Sequence, residues 1–204
     1  MKRQVRLLAL IAGVACPVFA QSSSRLQSRF DSATYAALRR LIDSARKAKL
    51  PAPLIEDNAL EGASSGVSGD SILAGVRRFT RQLGLAQSAL GPDAKPGELR
   101  SAVSAIDAGI PVGDLKRIRR AAPKRSIATA LTVLSDIANR GVPLPTSSDL
   151  VVSLLSANVK DSDLMTFARW VRQDIEKGGN PSTSAVARAN GFITAAGRGQ
   201  STAP

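Results

Sequence analysis

The 204-residue sequence contains no histidine and only one cysteine, Cys16. The absence of histidine removes the most common general base at neutral pH and the most common side-chain ligand of transition metals. One cysteine cannot form a disulfide within the chain, so a folded domain must depend on its apolar core. Aromatic residues make up only 3% of the sequence, which leaves few side chains for stacking on nucleic acid bases. These shortages favour a protein that recognises a partner over one that catalyses a reaction.

The first 20 residues have the pattern of an export signal. Three basic side chains within the first six positions precede an apolar run at residues 7–18, and the segment ends at Ala20 before Gln21. The run is shorter than the roughly 20 residues of a membrane-spanning helix. We therefore expect a signal peptide cleaved between Ala20 and Gln21, and a periplasmic or secreted mature chain without a transmembrane span. A lipoprotein attached through Cys16 is the alternative, although its neighbours depart from the usual attachment pattern.

Basic residues outnumber acidic residues in the mature chain. Loss of the signal peptide removes three of the 28 Lys and Arg and none of the 16 Asp and Glu, which leaves a net charge of +9. Such a protein is attracted to polyanions, which outside the cytoplasm include phosphorylated glycans, lipid head groups and wall polymers. The same charge also keeps a protein soluble, so charge alone does not identify a binding function.

Apolar residues recur at the spacing of amphipathic helices in four segments, and no segment alternates as a strand does. The four stripes are Tyr35, Leu38, Leu41, Ile42 and Ala45; Ile72, Val76, Phe79, Leu83 and Leu90; Ile127, Ala130, Leu131, Leu134 and Ile137; and Leu164, Phe167, Ala168, Val171 and Ile175. We predict an all-α fold of about eight or nine helices, either an irregular multi-helix bundle or an array of helical hairpins.

The predicted helices lie near residues 32–48, 53–64, 70–90, 96–108, 112–121, 125–140, 146–157, 161–177 and 182–192. They form one helical domain at residues 31–192 between flexible ends at 21–30 and 193–204, which are rich in small and polar residues.

Glycine followed by proline or a short polar residue separates several of these helices. Such corners occur at 66–70, 109–114, 141–143 and 179–182. Glycine can take the left-handed conformation that ends one helix, and proline or a short polar residue can begin the next. Because the links are short, consecutive helices should form hairpins.

A resemblance to other bacterial sequences rests on the corners and on the segment Leu50–Gly62, which has the sequence LPAPLIEDNALEG. In these parts the chain resembles a group of predicted-secreted bacterial all-helical proteins. The resemblance implies export and a helical architecture, and it brings no activity, cofactor or catalytic residue with it.

Two patterns could support catalysis. Ser44 and Lys47 have the SxxK spacing of serine acyl-transferring enzymes, but the companion motifs are missing. Two acidic clusters, Glu56 with Asp57 and Glu61, and Asp161 with Asp163, could act in acid–base chemistry or bind a hard cation. Each acidic cluster also has a simpler structural role, because acidic residues stabilise the starts of helices and form salt bridges. The sequence thus predicts no catalytic residue, no metal site and no cofactor.

The strongest local candidate is a basic cluster around residues 115–125. Leu115 and Ile118 mark the apolar side of a helix whose other side is cationic. The candidate anion-binding residues are Lys116, Arg117, Arg119, Arg120, Lys124 and Arg125. Further basic groups at residues 39–49 and 77–81 would enlarge this surface if the fold brought the helices together. The simpler interpretation is a set of solvated helix faces.

The sequence therefore predicts an exported, non-enzymatic helical interaction or scaffold protein of the bacterial cell envelope. Its partner is an envelope polyanion or another envelope protein, with nucleic acid a poorer candidate because aromatic residues are scarce. The lone Trp170 is either a residue at the edge of the core or an anchor for a partner. The alternative function is a cell-wall hydrolase or transferase that uses carboxylates or the Ser44–Lys47 pair.

Overall fold

The computed structural model describes residues 25–200, with side chains through residue 198. This part of the chain consists of helices joined by short connections and contains no strand, which confirms the predicted all-α fold. After a helical turn at residues 25–27, nine helices follow: α1 (Ser32–Lys47), α2 (Ala52–Ser64), α3 (Gly69–Leu90), α4 (Pro96–Asp107), α5 (Val112–Ala121), α6 (Ala128–Asn139), α7 (Leu144–Ser156), α8 (Asp161–Glu176) and α9 (Pro181–Gln200). The predicted cleavage site at Ala20 and Gln21, and Cys16, lie outside the described residues.

Five of the connections are corners of the same kind. One residue after the C-cap of the helix takes a positive φ, and the next residue, which is apolar, donates its N–H to the carbonyl five residues earlier. The residues with positive φ are Lys49, Gly66, Gly109, Gly141 and Asn158. The N–H of Leu50, for example, lies 2.9 Å from the oxygen of Ala45. This is the Schellman arrangement, and it makes each corner short and fixed in direction.

The helices form two layers. Extensive contacts in the described part of the chain join each helix to its first or second neighbours along the sequence. The odd-numbered helices lie side by side in the order α1, α3, α5, α7 and α9, and α4, α6 and α8 do the same. Arg100 of α4 joins α2 to this second row through Asp57 and Glu61. We call the two rows the odd layer and the even layer, and together they make an array of helical hairpins.

Neighbouring helices within a layer meet at corresponding positions. Arg117 and Asp149 form an ion pair of 2.7 Å, and each is the sixth residue of its helix in the odd layer. In the even layer Ser101 and Thr132, the sixth residue of α4 and the fifth of α6, lie 3.3 Å apart at their hydroxyl oxygens. Apolar side chains from both layers meet between them and form one continuous core.

The packed region extends beyond both predicted domain boundaries. Leu26 belongs to the core and is 2% exposed, so packing begins before residue 31. At the other end α9 continues to Gln200, although the sequence analysis ended this helix near residue 192. The extension has a physical reason, because Ile193 and Ala196, beyond the predicted end, pack against the core as Phe192 does.

Helix α6 begins at Ala128, three residues later than predicted. The preceding residues are held in other contacts, since Arg125 donates to the carbonyl of Val159 and the N–H of Ile127 donates to Glu98. Among the helices of the described region, none combines the length and apolarity needed to cross a bilayer.

The corner geometry makes a prediction about stability. Lys49 has φ 59°, where a residue with a Cβ is strained. We expect Lys49→Gly to raise the free energy of unfolding by about 0.5–1 kcal/mol, after the larger entropy of the unfolded glycine chain is subtracted. Gly109→Ala, at φ 87°, should lower it by about 1–2 kcal/mol. Urea unfolding measures both, and a destabilised Lys49→Gly would contradict the strained corner.

Candidate functional site

The six predicted anion-binding residues separate into two groups. Arg117, Arg119 and Arg125 form ion pairs within the protein. Lys116, Arg120 and Lys124 are exposed and make no ion pair with the described residues. The fold therefore leaves half of the predicted cluster free to meet a partner.

Arg119 is held by Glu98, a carboxylate with a side chain only 5% exposed. One guanidinium nitrogen of Arg119 donates to Glu98 Oε1 at 2.9 Å and to the carbonyl of Arg125 at 3.0 Å. The backbone N–H groups of Lys95 and Ile127 also donate to Glu98, each at 3.0 Å. The carboxylate thus joins the start of α4, the end of α5 and the entry to α6.

The hydrogen bonds control the protonation of Glu98. Burial by itself would raise the pKa of this carboxyl group, because it disfavours the charged form. The N–H groups of Ile127 and Lys95 and the charge of Arg119 outweigh burial, and they hold the pKa of Glu98 below its ordinary value. Glu98 is therefore an ionised structural group at neutral pH.

The other two paired arginines also connect helices. Arg117 lies between Asp114 of its own helix and Asp149 of α7, and these bonds raise the pKa of Arg117 above its ordinary value. Arg125 pairs with Asp161 and donates to the carbonyl of Val159 at 2.8 Å. These contacts tie α5 to α7 and the α5–α6 connection to the start of α8.

Free cations on α1, α3 and α5 share the outer side of the odd layer. At 100° per residue, Arg77 and Arg81 lie about 100° and 140° from the buried Val76. Lys116 and Arg120 lie at the same angles from the buried Leu115. On α1, Arg40 and Lys47 are opposite the buried Leu38. We call this set the basic face: Arg40, Lys47, Arg77, Arg81, Lys116 and Arg120, all exposed.

The basic face is part of a larger separation of charge. The five odd-layer helices contain 13 Lys and Arg against four Asp and Glu, a net charge of +9. The four even-layer helices contain three Lys and Arg against ten Asp and Glu, a net charge of −7. The surplus of the odd layer is concentrated in α1, α3 and α5, which together carry +8.

Four of the five carboxylates in the two acidic clusters form ion pairs with arginines. Asp57 and Glu61 both accept hydrogen bonds from Arg100, at 3.2 and 3.3 Å, so their environments do not differ as those of an acid and a base must. Glu56 pairs with Arg46, and Asp161 accepts hydrogen bonds from Arg125 and Thr129. Among the residues that the structure describes, no group of three or more acidic or thiol side chains could hold a metal ion.

The remaining catalytic candidates lie at the surface. Ser44 and Lys47 are both exposed on α1, and no hydrogen bond of the described residues joins their side chains.

Trp170 belongs to a partly exposed cluster of side chains that the sequence does not predict. Its side chain is 40% exposed, and the guanidinium of Arg188 lies 5.2 Å from the centre of its ring. Asp174 fixes Arg188 through two hydrogen bonds of 2.7 and 2.8 Å, which hold the pKa of Asp174 below its ordinary value. With Phe192 on the neighbouring helix, these contacts place Trp170 at the edge of the core and attach α9 to α8.

Comparison with known protein families, with curated proteins and with solved structures finds no match to this chain.

The role of Glu98 can be tested by substitution. We expect Glu98→Gln to lower the free energy of unfolding at pH 7 by about 2 kcal/mol, because Arg119 loses its buried counter-charge. The native pKa of Glu98 lies below its unfolded value, so its contribution is complete above the unfolded value, about 4.3, and is lost as the pH falls through the native value.

Denaturant unfolding between pH 7 and pH 3 measures both effects. The wild type should lose more stability than Glu98→Gln as the pH falls. Glu176→Gln is the matched control, because Glu176 is exposed and its ion pair with Arg172 is 4.0 Å long. Equal unfolding free energies for the two variants at pH 7 would contradict the structural role of Glu98.

Proposed function

We propose that the protein is an exported, non-enzymatic interaction protein of the bacterial cell envelope that binds an anionic partner through the basic face. The single observation that carries this proposal is the separation of charge between the two helix layers. A positive surface on one side attracts polyanions and orients the protein toward them before contact. Binding of this kind requires neither histidine nor a pocket.

The arrangement of ion pairs supports a binding role for the free cations. Arg117, Arg119 and Arg125 stabilise the fold, whereas Lys116 and Arg120 project from α5 without ion-pair partners among the described residues. The alternative of a cell-wall hydrolase has no comparable support, because Arg100 binds both carboxylates of its most plausible acid–base pair.

Reversal of two charges tests the basic face without damage to the internal ion pairs. We expect Lys116→Glu with Arg120→Glu to weaken binding to dextran sulfate about tenfold or more, and to lower the salt concentration that releases the protein. The matched control is Arg169→Glu with Lys177→Glu, which makes the same change in net charge at exposed positions on or next to α8.

Titration of immobilised dextran sulfate at several salt concentrations measures this difference, and far-ultraviolet circular dichroism confirms that both variants fold. An equal loss of binding in the two variants would mean that net charge alone controls binding. That result would contradict a specific basic face.

Export is tested by an intact mass of the protein purified from its native host. We expect the mass of a chain that begins at Gln21, because the amino-terminal segment has the pattern of a cleavable signal. A mature protein that retains residues 1–20 without modification would contradict this part of the proposal.

A further inference from the structure

We propose that the anionic partner is a bilayer surface that contains anionic phospholipid, on which the basic face docks with Leu85 inserted between the head groups. This inference rests on the proposed function and names its partner. Peripheral binding to a membrane combines cations for the lipid phosphates with exposed apolar side chains for the acyl boundary. The basic face supplies the cations, and Leu85 beside it supplies the apolar side chain.

Leu85 supplies the apolar element. Its side chain is 48% exposed, although leucine is usually buried. It follows Arg81 by one helical turn and Arg77 by two, so the three side chains form one stripe along α3. Because both arginines lack a carboxylate partner in the described structure, they are free to contact phosphates beside an inserted leucine.

The shape of the basic face also fits a surface better than a single polymer strand. Its six cations lie on three neighbouring helices of one layer, and packed helices have axes about 8–10 Å apart. The cations are therefore spread in two dimensions, across the layer as well as along α3. A bilayer presents phosphates in two dimensions, whereas one polymer chain presents them along a line.

Few carboxylates oppose such binding. Asp43, Asp114 and Asp149, which belong to the helices of the odd layer, are each paired with an arginine. Asp70, at the start of α3, is the one carboxylate of the odd-layer helices that forms no ion pair with the described residues. It lies at the opposite end of the helix from Leu85 and stabilises the helix start.

The test is flotation of the full mature chain with two kinds of vesicle, one of phosphatidylcholine alone and one that mixes phosphatidylcholine with phosphatidylglycerol. We expect binding to the mixed vesicles only. Leu85→Gln should weaken that binding about fivefold, because the buried apolar area is lost, and should leave binding to dextran sulfate unchanged. Met165→Gln is the matched control, since Met165 is 49% exposed in the even layer and should have no effect.

The outcomes separate this inference from the proposed function. A wild type that binds dextran sulfate but not mixed vesicles would overturn the bilayer inference and leave the basic face intact. Equal effects of Leu85→Gln and Met165→Gln on vesicle binding would also overturn it. If Lys116→Glu with Arg120→Glu changed neither dextran sulfate binding nor vesicle binding, both the inference and the proposed function would fail.

Discussion

The buried carboxylate of Glu98 is the contact on which the middle of this fold depends. It receives two backbone N–H groups and the guanidinium of Arg119, so it connects three helices from both layers at one point. The cost of burying a charge is offset only because all of these donors are in place. The same contact keeps Arg119 out of the basic face, whereas Lys116 and Arg120 of the same helix remain exposed.

Charge separation follows from the way the chain forms hairpins. Consecutive helices enter different layers, so the alternation of basic and acidic helices from α1 to α6 becomes a basic side and an acidic side in the fold. Arginine makes all twelve ion pairs of the described residues, and lysine makes none. The planar guanidinium binds carboxylates in fixed directions, whereas the lysine ammonium is more strongly hydrated and suits an exposed, less specific attraction to anions.

The helices could be predicted from the sequence because apolar spacing and helix corners are local patterns. Together these patterns place most helix ends within a few residues of those observed. The corner signal was incomplete, since Lys49 and Asn158 take the left-handed conformation without being glycine. The division of the basic cluster could not be predicted. The partners of Arg119 and Arg125 are 21 and 36 residues away in the sequence, and only the tertiary packing of the helices brings them together.

The central claim is that one layer of the array meets the anionic partner. Lysine acetylation in the presence and absence of a saturating anionic surface, followed by mass spectrometry of each site, tests it most directly. The account predicts that Lys47 and Lys116 in the odd layer become protected while Lys177, which follows α8 in the even layer, stays reactive. Equal protection of the three lysines, or protection of Lys177 alone, would contradict it.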